Sequence, residues 1–190
     1  MLTKLHFLVL GIVRENPVNP YRILKIFEEL RLSEWLTGAN SSIYAAVNAL
    51  VKKGYIAGKQ EKAESDRTRV IYSSTAEGEA VFLENLRLLL SGDSDDYSSL
   101  STATLFLCHL PKRDVSQLLG EKYTELKKKE AVLRKRIHHM ETGSRANFTL
   151  LMNTKHLLNT VSADLKTLDM LRTEIRESKS WNSFISRDIP

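Results

Sequence analysis

The sequence predicts a mainly α protein with one small β-hairpin, arranged as two parts. Three observations carry this. Apolar residues recur at helical spacing along most of the chain. A strand, a polar tip and a second strand interrupt that spacing between residues 55 and 73. An alternating four-three apolar repeat then runs through much of the second half. Ser91 to Ser99 is polar, acidic and serine-rich, a composition that favours a solvated connection. The expected domains are therefore 1–90 and 102–190, joined by a linker at 91–101.

In the first part, Leu5, Leu8, Val9 and Ile12 share one helical face. Asn16-Pro17 ends that helix, because a residue before proline is pushed out of the α region. Asn19-Pro20 starts a second helix, with Asn as N-cap and Pro at the first position, where a missing N–H costs nothing. Its buried stripe is Ile23, Ile26, Phe27 and Leu30. A third helix follows Thr37 to Ser41, faces inward with Ile43, Val47, Leu50 and Val51, and closes at Gly54. Residues 55–60 read as a strand, Glu61 to Thr68 as a polar tip and Val70 to Ser73 as the returning strand. Thr75 caps a fourth helix with Val81, Phe82, Leu86 and Leu89 apolar. Three helices, a hairpin and a fourth helix in this order form a winged helix-turn-helix.

The second part reads as all-helical. A short helix covers Ala103 to His109 and stops at Pro111. A long one spans 114–141 with Leu119, Tyr123, Leu126, Leu133, Ile137 and Met140 apolar, Glu130 breaking the register. The last spans 147–178. Leu151, Leu158, Val161, Leu165, Leu168 and Ile175 form its seam, which Leu150, Leu157 and Leu171 widen. Thirty residues of helix extend about 45 Å, and so long an apolar face predicts a second copy of the chain as its cover. The expected dimerisation residues are Leu119, Tyr123, Leu126, Leu133, Ile137, Leu151, Leu158, Val161, Leu165 and Leu168.

Composition excludes several classes. No apolar run approaches the roughly 20 residues of a membrane span, so no membrane partner and a cytoplasmic location are expected. A single cysteine, Cys108, allows no intrachain disulfide and no cysteine-based zinc site; in its apolar run it reads as a small buried hydrophobe. Adjacent His138 and His139 point apart on a helix, and neither His109 nor His156 has an assignable partner. There is no phosphate-binding glycine loop, HExxH or G-x-S-x-G, so no enzyme, metal or cofactor is expected. Net charge is +5, spread evenly: residues 1–90 hold 12 Lys/Arg against 10 Asp/Glu. That permits a nucleic-acid partner without demanding one.

The third helix turns Asn40, Ser41, Ser42, Tyr44, Asn48 and Lys52 away from its apolar side. This face suits groove contact: hydroxyls and the helix N-terminus for phosphate, Asn48 for an adenine edge. A merely solvated face has the same composition. Lys59, Lys62, Arg67 and Arg69 surround the hairpin tip, diluted by Glu61, Glu64 and Asp66. They suit phosphate or minor-groove contact, or an ordinary charged hairpin.

Three ordered stretches resemble the PadR family of bacterial transcriptional regulators: Leu8 to Val13 with Asn19-Pro20-Tyr21-Arg22-Ile23, Ser42 to Val47 with Leu50 and Lys53-Gly54-Tyr55-Ile56, and Asp66 to Tyr72 with Thr75-Ala76-Glu77-Gly78. The chain departs from the pattern at Pro20, where a small residue usually stands, and at Ala45, where proline usually follows the tyrosine. The C-terminal half is similar in kind to the longer subgroup with an extended dimerisation domain. The resemblance implies a homodimeric, sequence-specific DNA-binding regulator, a repressor on a palindromic operator, with double-stranded DNA as partner. It also implies a small-molecule effector near the dimer interface, for which Trp35 and Trp181 are candidate walls. The alternative is a protein-interaction module built on a winged helix and a coiled coil.

Overall fold

The computed structural model describes residues 2–30, 32, 39–62, 68–91, 97–143, 147–179 and 181; for 39–41, 62 and 97–99 it describes the backbone alone. Two compact units emerge: residues 1–89 with 98–109, and 90–97 with 110–181.

Helix α1 (Lys4–Glu15) starts at Thr3, whose hydroxyl accepts the His6 N–H at 3.3 Å. Every residue from Phe7 to Val13 is buried, so α1 is the central strut of its unit rather than a one-sided helix. It ends where Asn16-Pro17 predicts, with Asn16 extended at φ −149°, ψ 145°. Asn19 caps α2 (Pro20–Glu29), accepting the Arg22 N–H at 2.8 Å with Pro20 leading the first turn. Between these helices Val18 exchanges two backbone hydrogen bonds with Tyr72, 3.0 and 2.9 Å long. One residue of linker thereby pairs with the hairpin's inner strand.

Helix α3 (Ala39–Lys52) packs on α1, α2 and the hairpin through Ile43, Ala46, Val47 and Leu50, all nearly inaccessible. Val51, expected inward, is 40% exposed. Its place in the inner stripe goes to Ala46, a better fit to the i, i+3, i+4 spacing from Ile43. Gly54 stands at φ +74°. Its N–H reaches the Val51 carbonyl at 2.9 Å and that of Tyr55 reaches Leu50 at 3.0 Å, the Schellman pattern.

Strands β1 (Ile56–Lys62) and β2 (Thr68–Ser74) pair antiparallel from Ile56↔Ser74 to Lys62↔Thr68. The inner face lays the Tyr72 ring and Val70 across Gly58, where an added Cβ would sit 2.8 Å from Val70 Cγ1. The outer face carries Ala57, Lys59 and Glu61 opposite Ser73, Ile71 and Arg69. Thr75 begins α4 (Ala76–Ser91): its hydroxyl accepts the Gly78 N–H at 3.1 Å and donates to the Gly54 carbonyl at 2.7 Å. One threonine thus fastens the end of α3 to the start of α4. A Cβ on Gly78 would collide with the Tyr55 carbonyl.

Helix α5 (Tyr97–Thr104) and a 3-10 turn (Leu107–His109) follow. Residues 102–109, expected with the C-terminal helices, pack in the first unit. The reason is aromatic packing. Phe7 and Phe82 stack at 4.8 Å, and Phe106 meets them edge-on at 5.4 and 5.3 Å. Gly11 makes room, since a Cβ there would overlap the Phe106 ring.

The second unit is an antiparallel hairpin of α6 (Lys112–Thr142) and α7 (Phe148–Glu177). Leu119, Leu126, Leu133 and Ile137 bury against Val161, Leu165, Leu168 and Ile175 within the one chain. The seam expected to join two copies is therefore largely closed by the chain's own hairpin. Two further positions differ. Lys122, not Tyr123, holds the buried place between Leu119 and Leu126, as strict four-three spacing requires. Tyr123 lies half-buried alongside, with Arg172 over its ring at 5.1 Å and Lys127 at 5.8 Å. Thr154 takes the buried place in the α7 seam between the half-buried Leu151 and Leu158; its hydroxyl donates back to the Leu150 carbonyl at 2.8 Å. Glu130 breaks the register as an ion pair, 2.8 Å from Arg134 and 3.1 Å from Lys127, which hold its carboxyl below the usual range. Asn147 caps α7, accepting the Leu150 N–H at 3.1 Å.

Candidate nucleic-acid interface

The apolar side of α3 is locked on α1 and α2, so its opposite side is fixed toward solvent. Tyr44 is 54% exposed there, and Ala45, Asn48 and Lys52 are also exposed. Tyr44, Asn48 and Lys52 follow one another at i, i+4, a stripe a little over two turns long. Ser42 is half-buried beside it. Asn40 and Ser41 lie on the first turn of α3, and their side chains fall outside the described residues. The first turn carries no acidic residue, so no side-chain charge offsets its partial positive end. Among the described side chains of this face, Tyr44 and Val51 are the large apolar ones and none is acidic.

The hairpin supplies the second set. Lys59 and Arg69 are exposed on its outer face. Arg69 stands opposite Glu61, 4.0 Å away, both side chains about half exposed. The Lys62 side chain, Arg67 and the rest of the tip, including Glu64 and Asp66, lie outside the described residues. Glu61 is thus both a diluting charge in the sequence and Arg69's direct partner in space.

The structure also brings together residues that spacing alone left unconnected. Tyr21 on α2 is 60% exposed and carries the Lys25 ammonium over its ring at 5.7 Å. Its place at the start of an otherwise amphipathic helix was the only available signal. Lys25 also pairs with Glu28 at 2.7 Å and Arg22 with Glu29 at 3.2 Å, so α2 offers little free charge. His6, beside Lys53, is pushed below the ordinary imidazole range by burial first and by the lysine second.

Away from this face, Arg14 lies 2.5 Å from Glu79 and also contacts His109 Nδ1, while His109 Nε2 contacts Glu15. Ser74 donates to the other Glu79 oxygen at 2.5 Å. Among the described residues, Glu15, Cys108 and His109 are the one trio whose donor atoms could share a metal, lying within 4.8 Å of one another. The arrangement fits an ionic network better. A metal-bound imidazole needs its second nitrogen to donate, and here Nδ1 faces a guanidinium that can only donate. Burial pushes the Cys108 thiol up, with Glu15 adding to the effect, so it is a poor thiolate ligand. Trp181 donates from its indole nitrogen to the Leu110 carbonyl at 2.9 Å with Lys112 over its ring, a structural engagement; Trp35 lies outside the described residues. Among the described residues no helix is long and apolar enough to cross a membrane.

Residues 9–84, from α1 through the hairpin into α4, match the transcriptional regulator PadR-like family. No curated protein matches the chain in sequence. Among solved structures, PadR from Bacillus subtilis in complex with operator DNA is 17% identical, with 92% of this chain and 99% of that chain covered at a TM-score of 0.44. Smu.1604c from Streptococcus mutans UA159 is 22% identical, with 91% and 99% covered at 0.41. The PadR-like regulator BC1756 from Bacillus cereus is 19% identical, with 92% and 97% covered at 0.40.

Proposed function

We propose that the chain is a PadR-like transcriptional regulator, as the family match over residues 9–84 supports, and that it is a DNA-binding repressor acting as a homodimer on a palindromic operator. The family is one of regulators, not enzymes. One observation carries the reading: the matched segment contains a rigidly mounted helix whose free face is Tyr44, Asn48 and Lys52, with Lys59 and Arg69 on the neighbouring wing. On this reading Lys52, Lys59, Arg69 and the Tyr44 hydroxyl hold phosphates, as do Ser42 and, from outside the described side chains, Asn40, Ser41, Lys62 and Arg67. Asn48 reads a base edge.

One winged helix makes few phosphate contacts, so affinity requires two copies on half-sites about one helical turn apart, roughly 34 Å. With the α6–α7 seam closed internally, a second copy is held by the apolar surface left outside it. Phe148 is 72% exposed and Val132 65%, and Leu150 and Leu157 flank the seam. A small molecule that binds the C-terminal helices would alter the separation of the two reading heads and so modulate repression.

The test is fluorescence anisotropy with duplex from the gene's own upstream region. Specific binding should weaken steeply between about 50 and 200 mM salt. Deleting residues 112–190 should leave a monomer by sedimentation, with poor operator affinity. Salt-insensitive binding, or none to any genomic duplex, would favour a protein-interaction module instead.

A further inference from the structure

At the open end of the α6–α7 hairpin, the first turn of α6 meets the last turns of α7 around a cleft of about 460 Å³. Its walls hold four cations, Lys112, Arg113, Arg172 and Arg176, against one carboxylate, Asp169, a net of +3. That volume suits a small molecule, and that charge selects its sign. We propose that the cleft binds a small multivalent oxyanion, a phosphate ester or a di- or tricarboxylate.

Three features support this. The cations are weakly neutralised. Arg172 stands 3.9 Å from Asp169, and Arg176 is 3.8 Å from Glu177, at the outer limit of ion pairing and both well exposed. Arg113 has no acidic partner among the described residues. Next, the α6 N-terminus has no side-chain cap, because Pro111 stands at the N-cap position. The Val115 N–H is the first to find a backbone acceptor, Pro111 O at 3.1 Å, so the preceding N–H groups remain for an anion. Finally, one guanidinium is held in place, Arg172 resting on the Tyr123 ring, while Ser116 adds a hydroxyl to the cleft beside Arg113. A pre-positioned guanidinium pairs with planar oxyanions through two parallel hydrogen bonds.

Lys112 is partly committed, donating to the Ser178 carbonyl at 2.5 Å beneath Trp181. It completes the end of α7 and contributes field rather than a hydrogen bond. Arg113 and Arg172 are therefore the principal contacts. The site stands independently of the DNA reading, since it shares no residue with α3 or the hairpin.

The test is titration calorimetry on the full chain with pyrophosphate and, separately, citrate, in low-salt buffer. Binding of either probe is expected, at least tenfold weaker in the Arg113→Gln/Arg172→Gln double variant, whose unchanged helicity is checked by circular dichroism. Pyrophosphate alone would assign phosphate esters, citrate alone carboxylates. No heat with either probe, or equal affinity in the double variant, would overturn the proposal. So would displacement of the bound probe by duplex DNA, which would make the cleft part of the nucleic-acid surface.

Discussion

Arg69 and Glu61 face each other across the hairpin, so replacing each should move DNA affinity in opposite directions. Each copy presents Lys52, Lys59 and Arg69 as described exposed cations. With two copies on one duplex, these six contacts contribute about −5.4 to the log–log salt slope, a share worth about 2,000-fold in affinity between 50 and 200 mM salt. Arg69→Ala leaves four of them, so the slope should become shallower by about 1.8 and this share should fall to about 150-fold. Glu61→Gln removes the carboxylate 4.0 Å from Arg69. An exposed pair is worth about 0.2–1 kcal/mol, so freeing one arginine per copy should tighten binding by about two- to thirtyfold. Anisotropy titrations at four salt concentrations, on operator and on scrambled duplex, measure both effects. Because phosphate contacts carry no sequence information, both duplexes should respond alike. A wild-type slope for Arg69→Ala, or weaker binding by Glu61→Gln, would refute contact between the wing and phosphate.

Three further outcomes test the fold that presents this face. Phe106→Ala opens a cavity beside the stacked Phe7 and Phe82 and should cost about 3–5 kcal/mol in urea denaturation; a fragment ending at residue 109 should outlast one ending at residue 90, and equal midpoints would detach 98–109 from the first unit. Gly78→Ala drives a methyl into the Tyr55 carbonyl, so a loss of about 1–3 kcal/mol is expected, with a neutral variant showing that α4 is not seated so closely. The Cys108 thiol titrates above its ordinary value, so less of it is thiolate at any pH near neutrality. It should therefore react with Ellman's reagent more slowly than free cysteine, the gap closing as pH rises past the raised value; a rate at or above that of free cysteine contradicts the burial.

Much of the fold was legible in local signals because local physics sets them. Asn16-Pro17, Asn19-Pro20, Gly54 and Thr75 mark helix ends through backbone constraints and caps that act within a few residues. Tyr44, Asn48 and Lys52 were legible as one exposed stripe because Ile43, Val47 and Leu50 define the opposite side. Other features depend on what meets across long separations, which spacing does not encode. Val18 joining the hairpin, and Glu61 drawing Arg69, follow from strand register. His109 appeared solitary until the chain brought Arg14 and Glu15 to it.

By itself, the sequence determined most helix and strand ends of the first unit and the winged-helix order, and its residues carry the resemblance to the PadR-like family over 9–84. Those rest on short-range sterics and on periodicity. The tertiary structure alone decided that Phe106 belongs with Phe7 and Phe82, and that the long apolar seams of α6 and α7 face each other within one chain. A periodic apolar stripe states that it must be covered; it carries no information about which surface covers it, because hydrophobic burial is non-directional and any complementary face satisfies it.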